Sequence, residues 1–200
     1  MFAQILLFDG FDPLDVIAPF EVLAAGGVDV RLVAAGGPRT VIGGTLGLPL
    51  GATEALDPGR PGYVVVPGAS GPLDDIPMLL AALADSPAVP LLRSALDNPE
   101  VTVATVCGGS LALAMAGLIE GRSAVTHVLG LDVLDATGVN VVRARVVDDG
   151  DLITAGGVTS GLELGLHILE REFGSPAAHA VEELFEYERR GTVWKTVHSG

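Results

Sequence analysis

A strand that turns directly into a helix at the chain's single cysteine is the feature that most restricts the fold. Residues 101–106 (VTVATV) are apolar and rich in β-branched side chains, which predicts a buried strand. Cys107 follows, then Gly108 and Gly109, and residues 111–116 (LALAMA) are strong helix formers. The pattern is typical of a nucleophile elbow, in which a sharp turn presents a reactive side chain. The glycines permit the turn and a close approach by a ligand.

The thiol of Cys107 has two interpretations. A lone cysteine is most often a small buried hydrophobic residue without a chemical role. At the start of a helix, however, free N–H groups and the positive end of the helix dipole favour a thiolate. The strand–Cys–Gly–Gly–helix setting of Cys107 favours the second interpretation, so we expect a reactive thiolate.

Apolar, β-branched runs alternate with helical segments along the chain, which predicts an α/β sandwich with a mostly parallel sheet. The predicted strands are Ala3–Phe8, Val28–Ala35, Tyr63–Val66, Val101–Val106, Ala124–His127, Val139–Val147 and Leu152–Ala155. The predicted helices are Leu14–Ala25, Ile76–Leu83, Val89–Asn98, Gly109–Ile119, Gly130–Ala136, Thr159–Phe173 and Ala177–Arg189. The sequence DDGD at residues 148–151 predicts a hairpin between the last two strands.

Two segments carry weaker signals. Residues 36–62 are rich in glycine and proline, and we expect only short β segments there, at Thr40–Ile42 and Gly47–Leu50. Residues 191–200 have few packing signals, so we expect a mobile tail. Trp194 would then need a surface or a partner to cover it.

The composition favours one domain that spans residues 1–200. Hydrophobic residues make up 49% of the chain and charged residues 18%, which predicts a large core. A net charge of −14 repels phosphate backbones and disfavours nucleic acid as a partner. Gly, Pro and Asp interrupt every apolar run, so we expect no membrane span. One cysteine and the lack of a basic leader fit a reducing cytoplasm.

Asp15 follows the first predicted strand and has two interpretations. Asp12 before Pro13 predicts a helix N-cap, and an acid at position 15 can complete a capping box. Alternatively, the loop after this strand lies at the carboxyl edge of the sheet, where open α/β folds bind ligands. Apolar neighbours would then raise the pKa of Asp15 and let it carry a proton. Glu21 is a weaker second candidate.

A glycine-rich loop follows another predicted strand, in the sequence VVVPGASGP at residues 64–72. The backbone N–H groups around Gly68 and Ala69, together with that of Gly108, are candidates for an oxyanion or substrate-binding site beside Cys107. The signal is weak by itself, because Pro-Gly turns are common.

His127 lies twenty residues after Cys107 and is a candidate base or hydrogen-bond partner for the thiol. The favoured alternative is a histidine at a strand end that bonds to the backbone. None of the four histidines has a neighbour at metal-ligand spacing, so no metal is expected. No dinucleotide or phosphate-loop motif is present, and no cofactor is expected.

Taken together, these segments resemble the ThiJ/PfpI superfamily. The similarity covers roughly residues 5–189 and is carried by LDVIAPFEVL, VVVPGASG, VATVCGGSLALAMAGLIEGRSAVTH and LITAGGVTSGLELGLHILEREFG. The branch that the chain resembles most is isonitrile hydratase, together with the related ligand-binding halves of AraC-type regulators. The first and third segments are specific, whereas the glycine-rich loop is not.

The resemblance implies a flavodoxin-like three-layer sandwich and a homodimer with its active site near the interface. It also implies Cys107 as the nucleophile and Asp15 as its acidic partner. Many superfamily members carry Glu at the position of Asp15, whereas Asp is usual in the hydratase branch. Peptidase-like members carry His after the cysteine and hydratases usually carry Thr, so Gly108 departs from both patterns.

Three functions follow from this resemblance. The first is the addition of water to an isonitrile, a small-molecule substrate, to give an N-substituted formamide, with Cys107 forming a thioimidate and Asp15 supplying the proton. The second is glyoxalase- or deglycase-like chemistry on α-oxoaldehydes, whose enzymes usually carry Glu at the position of Asp15. The third is a non-catalytic redox sensor or ligand-binding domain, in which Cys107 is oxidised to sulfenic or sulfinic acid.

Overall fold

The computed structural model describes residues 1–196, which alternate between strands and helices. The strands are β1 (Phe2–Leu6), β2 (Asp29–Ala34), β3 (Arg39–Ile42), β4 (Pro49–Ala52), β5 (Glu54–Ala55), β6 (Gly62–Val66), β7 (Val101–Val106), β8 (Ser123–Ala124), β9 (Asn140–Val141), β10 (Val146–Asp148), β11 (Leu152–Ala155) and β12 (Trp194–Lys195). The helices are α1 (Pro13–Ala25), α2 (Ile76–Ala84), α3 (Ala88–Leu96), α4 (Gly109–Met115), α5 (Leu131–Asp135), α6 (Ser160–Phe173) and α7 (Ser175–Phe185).

Eight of these strands form one sheet in the order β12-β10-β11-β7-β6-β1-β2-β5. Every neighbouring pair is parallel except β10 and β11, which form the antiparallel hairpin that the sequence predicts. The chain leaves β1 for β2 on one side and later returns to β6 on the other. The gap between β1 and β6 is therefore a topological switch point, where α/β sheets bind ligands.

Helices cover both faces of the sheet, because side chains along each buried strand alternate between them. Ile5 of β1 and Val65 of β6 pack in one core cluster, with α1, α6 and α7. Leu6 and Val64 pack in a second cluster, with α2, α3, α4 and α5. The result is the three-layer, flavodoxin-like sandwich expected from the sequence.

Two predicted strands are wrong in extent. Residues 124–127 contribute only Ala124 to β8, because His127 leaves the strand and accepts a hydrogen bond from the Leu129 N–H instead. The predicted strand 139–147 is broken into β9 and β10, because the backbone between them makes a local turn, with the Ala144 N–H bonded to the Val142 carbonyl. In the segment 36–62, the hairpin β3–β4 confirms the expected short strands with shifted limits, and β5 was not foreseen.

Two predicted helices end earlier than expected because the backbone turns left-handed. Gly117 has φ +66°, and α4 therefore stops at Met115 rather than at Ile119. Glu186 has φ +48°, and α7 stops at Phe185 rather than at Arg189. Arg189 instead folds back to pair with carboxylates of α6 and α7.

The expected mobile tail is wrong for its first half. Trp194 and Lys195 form β12, which pairs in parallel with β10 at the edge of the sheet. The Trp194 side chain is nevertheless still exposed, so the strand pairing orders its backbone without covering the ring. Residues 197–200 lie outside the described part of the chain.

Within residues 1–196, no single helix combines the length and the apolar character needed to cross a membrane. The bent pair α2–α3 has that length and hydropathy only when its two helices are taken together, across a bend of 68°.

Gly109 lets α4 begin directly against the end of β6. A Cβ at this position would lie 2.2 Å from the carbonyl oxygen of Val66, which is backbone and has little freedom to move. We expect Gly109→Ala to lower the free energy of unfolding by about 1–3 kcal/mol, measured by urea denaturation. Gly36→Ala is the control, because its Cβ would have no neighbour within 4 Å. Equal stability of the two variants would contradict this account.

Candidate active site

Three loops meet at the carboxyl ends of three adjacent strands. Asp15 follows β1, Gly68 and Ala69 follow β6, and Cys107 follows β7. Because β1 pairs with β6 and β6 with β7, residues far apart in the sequence meet at one edge of the sheet. The fold thus brings together most of the site residues that the sequence indicates.

Cys107 sits in a strained left-handed turn between β7 and α4. Its φ is +56°, a region that L residues rarely adopt. Its N–H lies 3.0 Å from the carbonyl oxygens of both Ala155 and Gly156. Its own carbonyl accepts hydrogen bonds from the hydroxyls of Thr126, at 2.8 Å, and Ser110, at 3.3 Å. The predicted strand–turn–helix is therefore present, and two hydroxyls that the sequence analysis missed hold it.

Asp15 is completely buried in α1 and does not form a capping box. Asp12 is the N-cap, as predicted, since its Oδ1 accepts a hydrogen bond of 2.8 Å from the Leu14 N–H. The Asp12 N–H, which a capping box would use, donates instead to the carbonyl of Gly68. Asp15 Oδ2 accepts a hydrogen bond of 3.0 Å from the Gly68 N–H, and its Oδ1 has no partner within residues 1–196.

The buried position raises the pKa of Asp15 to about 8. Loss of hydration on burial is the main cause, and the negative charge of Asp12 adds to it. The hydrogen bond from the Gly68 N–H acts in the opposite direction but is outweighed. A carboxyl with this pKa holds a proton at neutral pH, so Asp15 can act as an acid.

Burial also raises the pKa of the Cys107 thiol, and the nearby charge of Asp15 raises it further. The Gly108 N–H, which points to the sulfur, opposes this shift only in part. The expected resting thiolate is therefore wrong. The dipole argument fails because α4 has only seven residues and Cys107 lies before its N-cap, while the side chain is only 7% exposed.

Gly68 allows the carboxyl and the thiol to approach each other. A Cβ on Gly68 would lie 2.6 Å from the Gly108 nitrogen, 2.9 Å from Asp15 Oδ2 and 3.1 Å from Cys107 Cβ. Any side chain at this position would therefore separate the groups that the site assembles. The carboxyl and thiol are close enough to shift each other's pKa, although no hydrogen bond of ordinary geometry joins them.

Cys107 opens into an apolar cavity of about 500 Å³. The Ala69 N–H, at the cavity wall, has no backbone acceptor among the described residues and is free to bind a polar group. Asp15 does not line the cavity, and Asp12 is the acid at its surface. The apolar side chains that line it come mainly from α2, α4 and the region of α5: Leu73, Ile76, Pro77, Leu80, Leu111, Met115, Leu129, Val133 and Val158.

Leu80 fills the space that a side chain at position 108 would occupy. A Cβ on Gly108 would lie 2.9 Å and 3.0 Å from the two terminal carbons of Leu80, which is itself buried. A hydrocarbon wall therefore stands beside the sulfur where a hydroxyl or an imidazole would otherwise lie. No sequence pattern links these two positions, so Leu80 was not foreseen.

His127 lines the same cavity but is not bonded to Cys107. Its Nδ1 accepts a hydrogen bond of 3.2 Å from the Leu129 N–H, which begins a short 3₁₀ turn over Val128–Gly130. The structure thus places it as a backbone-bonded histidine, the alternative that the sequence favoured. Within the described part of the chain, no three His, Cys, Asp or Glu side chains are grouped closely enough to hold a metal ion.

Comparison with known proteins assigns this geometry to a family. Residues 2–171 match the model of the DJ-1/PfpI family, and the chain belongs to that family. It is 32% identical to isonitrile hydratase from Pseudomonas putida over 185 residues, covering 91% of this chain and 76% of that protein. It is 26% identical to the Parkinson disease protein 7 homolog of Danio rerio, covering 90% and 94%.

Solved structures show the same fold. A ThiJ/PfpI family protein from Pseudomonas syringae superposes with a TM-score of 0.81 at 26% identity, covering 95% of this chain and 76% of that one. Drosophila melanogaster DJ-1beta superposes with a TM-score of 0.79 at 22% identity, covering 94% and 98%.

Alkylation of Cys107 tests the influence of Asp15 on the thiol. We expect Asp15→Asn and wild type to react with iodoacetamide at similar rates near pH 7, where Asp15 is protonated. At about pH 9.5 Asp15 is ionised in the wild type, and its charge raises the pKa of the Cys107 thiol. We therefore expect the variant to react about tenfold faster at this pH, which corresponds to roughly one unit in the pKa of Cys107.

Glu21→Gln is the matched control, because Glu21 is an exposed acid on the same helix and does not line the cavity. A variant Asp15→Asn that reacts no faster than this control at high pH would refute the coupling between the two groups.

Proposed function

We propose that this protein adds water to an isonitrile, with Cys107 as nucleophile and Asp15 as acid. The observation that carries the proposal is a buried carboxyl, with a raised pKa, beside a buried thiol at the wall of an apolar cavity. Isonitrile hydration needs a proton at the terminal carbon, and Asp15 holds one at neutral pH. The 32% identity to an isonitrile hydratase supports the same reaction.

In the first step, the terminal carbon of R–N≡C binds against the sulfur of Cys107, beside which the Asp15 carboxyl lies. The carboxyl gives its proton to this carbon as the sulfur attacks it. The C–S bond forms, and the proton of the thiol returns to the Asp15 carboxylate. The product is a thioimidate, R–N=CH–S–Cys107, and Asp15 is protonated again.

In the second step, water attacks the thioimidate carbon. Asp15 gives its proton to the imine nitrogen and receives one from the water, which leaves R–NH–CH(OH)–S–Cys107. The C–S bond then breaks as the hydroxyl becomes a carbonyl, and its proton passes through Asp15 to the sulfur. The formamide R–NH–CHO leaves, and both side chains return to their initial state.

The walls of the cavity support an apolar R group next to the reactive carbon. The groups that line it are almost entirely hydrocarbon, and the donors near the sulfur are the Ala69 and Gly108 N–H groups. These donors are placed to hold the polar end of the substrate as the thioimidate forms.

The redox-sensor alternative has less support. Oxidation follows thiolate character and exposure, and Cys107 has a raised pKa and little exposure. For α-oxoaldehyde chemistry, no contact within the described residues favours it over hydration.

A homodimer, which the resemblance implies, stays part of the proposal, and light scattering after gel filtration measures it.

Turnover of an alkyl isonitrile, followed as formamide by NMR, tests the proposal. We expect no covalent catalysis from Cys107→Ala and a fall of about 10²–10⁴ in kcat for Asp15→Asn, because a general acid contributes that much. Glu21→Gln should retain full activity. Equal and negligible rates for wild type and Cys107→Ala would refute the reaction.

The pH dependence follows from the sign of the Asp15 shift. The reaction needs the protonated carboxyl, so kcat/KM should be level below about pH 8 and fall about tenfold per pH unit above it. A rate that rises through pH 8 would instead indicate a thiolate working beside an ionised Asp15.

A further inference from the structure

A second cavity adjoins the one at Cys107 and differs from it in charge. It has a volume of about 590 Å³, and Thr126, His127 and Val158 line both cavities. Arg143 and Arg145 also line it, and no acidic residue does. On a chain with a net charge of −14, this is a local site that can attract an anion.

Arg143 supplies the uncompensated charge. It is exposed, and no carboxylate within residues 1–196 pairs with it. Arg145, in contrast, is neutralised by the buried Glu163 and also donates to the Thr159 hydroxyl at 3.0 Å. Arg145 therefore adds N–H donors rather than net charge. The cavity holds one free positive charge, which suits a monoanion.

His127 adds a ring N–H donor to the same wall. Because Nδ1 accepts the Leu129 N–H, the proton of the neutral ring lies on Nε2. The ring edge that carries Nε2 packs on Gly157, where a Cβ would lie 2.0 Å from the ring carbon Cδ2 and 2.9 Å from Nε2. Gly157 thus makes room for the ring at the junction of the two cavities.

We propose that this second cavity binds a carboxylate carried by the substrate, while the reactive carbon of the same molecule lies at Cys107. Arg143 forms the ion pair, and the His127 and Arg145 N–H groups complete the hydrogen bonds. The assignment to a substrate rests on the proposed hydration, whereas the binding of an anion does not.

Binding of unreactive formamides tests the site without turnover. The ligands are N-formylglycine, N-formyl-β-alanine and 4-formamidobutyrate, each compared with its neutral carboxamide by NMR titration of wild-type protein. The series covers different distances between the formyl carbon and the charge. We expect at least one carboxylate to bind about tenfold more tightly than its carboxamide, and the preference to fall as ionic strength rises.

Variants of Arg143 identify the partner of the carboxylate. Arg143→Ala should abolish the preference and leave carboxamide binding unchanged, and Arg143→Lys should keep part of it, because Lys retains the charge but loses the planar fork. Arg93→Ala is the control, since Arg93 is exposed on α3 and lines neither cavity. Equal binding of every carboxylate and carboxamide, or a preference that survives in Arg143→Ala, would overturn the site.

Turnover separates this proposal from the proposed reaction. For the isocyano acid that corresponds to the best ligand, Arg143→Ala should raise KM about tenfold with kcat unchanged. Selective carboxylate binding without isonitrile turnover would refute the hydration and leave the anion site standing. Hydration of neutral isonitriles without any carboxylate preference would refute the anion site alone.

Discussion

The left-handed turn at Cys107 depends on hydrogen bonds from three separate parts of the chain. The end of β11 accepts its N–H, and the hydroxyls of Thr126 and Ser110 donate to its carbonyl. Such a backbone conformation costs about 1–3 kcal/mol and persists only where its surroundings fix it. Because Ser110 also bonds to the Val125 carbonyl at 2.7 Å, the turn and the segment before His127 are held as one unit. Thr126 and His127, at the end of that unit, line both cavities.

Desolvation dominates the electrostatics of the site. Helix N-termini and backbone N–H groups favour charged forms, but each effect is modest and local. Asp15 and Cys107 are almost wholly removed from water, and each charge would be felt by the other. The pair therefore keeps its protons at neutral pH. A site built in this way moves protons to and from a neutral substrate, because its resting groups are an acid and a thiol rather than an ion pair.

Short sequence patterns correctly predicted the features that depend on neighbouring residues in the chain. The β-branched run before Cys107, the Asp12–Pro13 start of α1 and the DDGD hairpin are all found where the sequence placed them. Three adjacent parallel strands then bring Asp15, Gly68 and Cys107 together, as the alternation of strands and helices implied. Some errors arose where distant partners decide the outcome, as in the predicted strand 124–127, where the Val125 N–H donates to the Thr154 hydroxyl of β11 instead of to a neighbouring strand.

The protonation states of the site residues were harder to predict than which residues form the site. Its pKa values depend on burial, which comes from packing across the whole sheet edge and has no signature in the residues around Cys107. Leu80 and Thr126 were missed for the same reason, since each contacts the elbow from another element. The helix dipole was overvalued because the length of α4 depends on the left-handed turn at Gly117.

The two outermost strands of the sheet, β5 and β12, have a further consequence for the solution behaviour of the chain. Each is only two residues long, and together they cover part of the outward-facing edges of β2 and β10. An open edge is a template on which other chains can add strands and aggregate, and short outer strands offer little of it. Truncating the chain just before Trp194 would remove β12 and leave the edge of β10 unpaired. That edge would then be available for strand pairing with other chains.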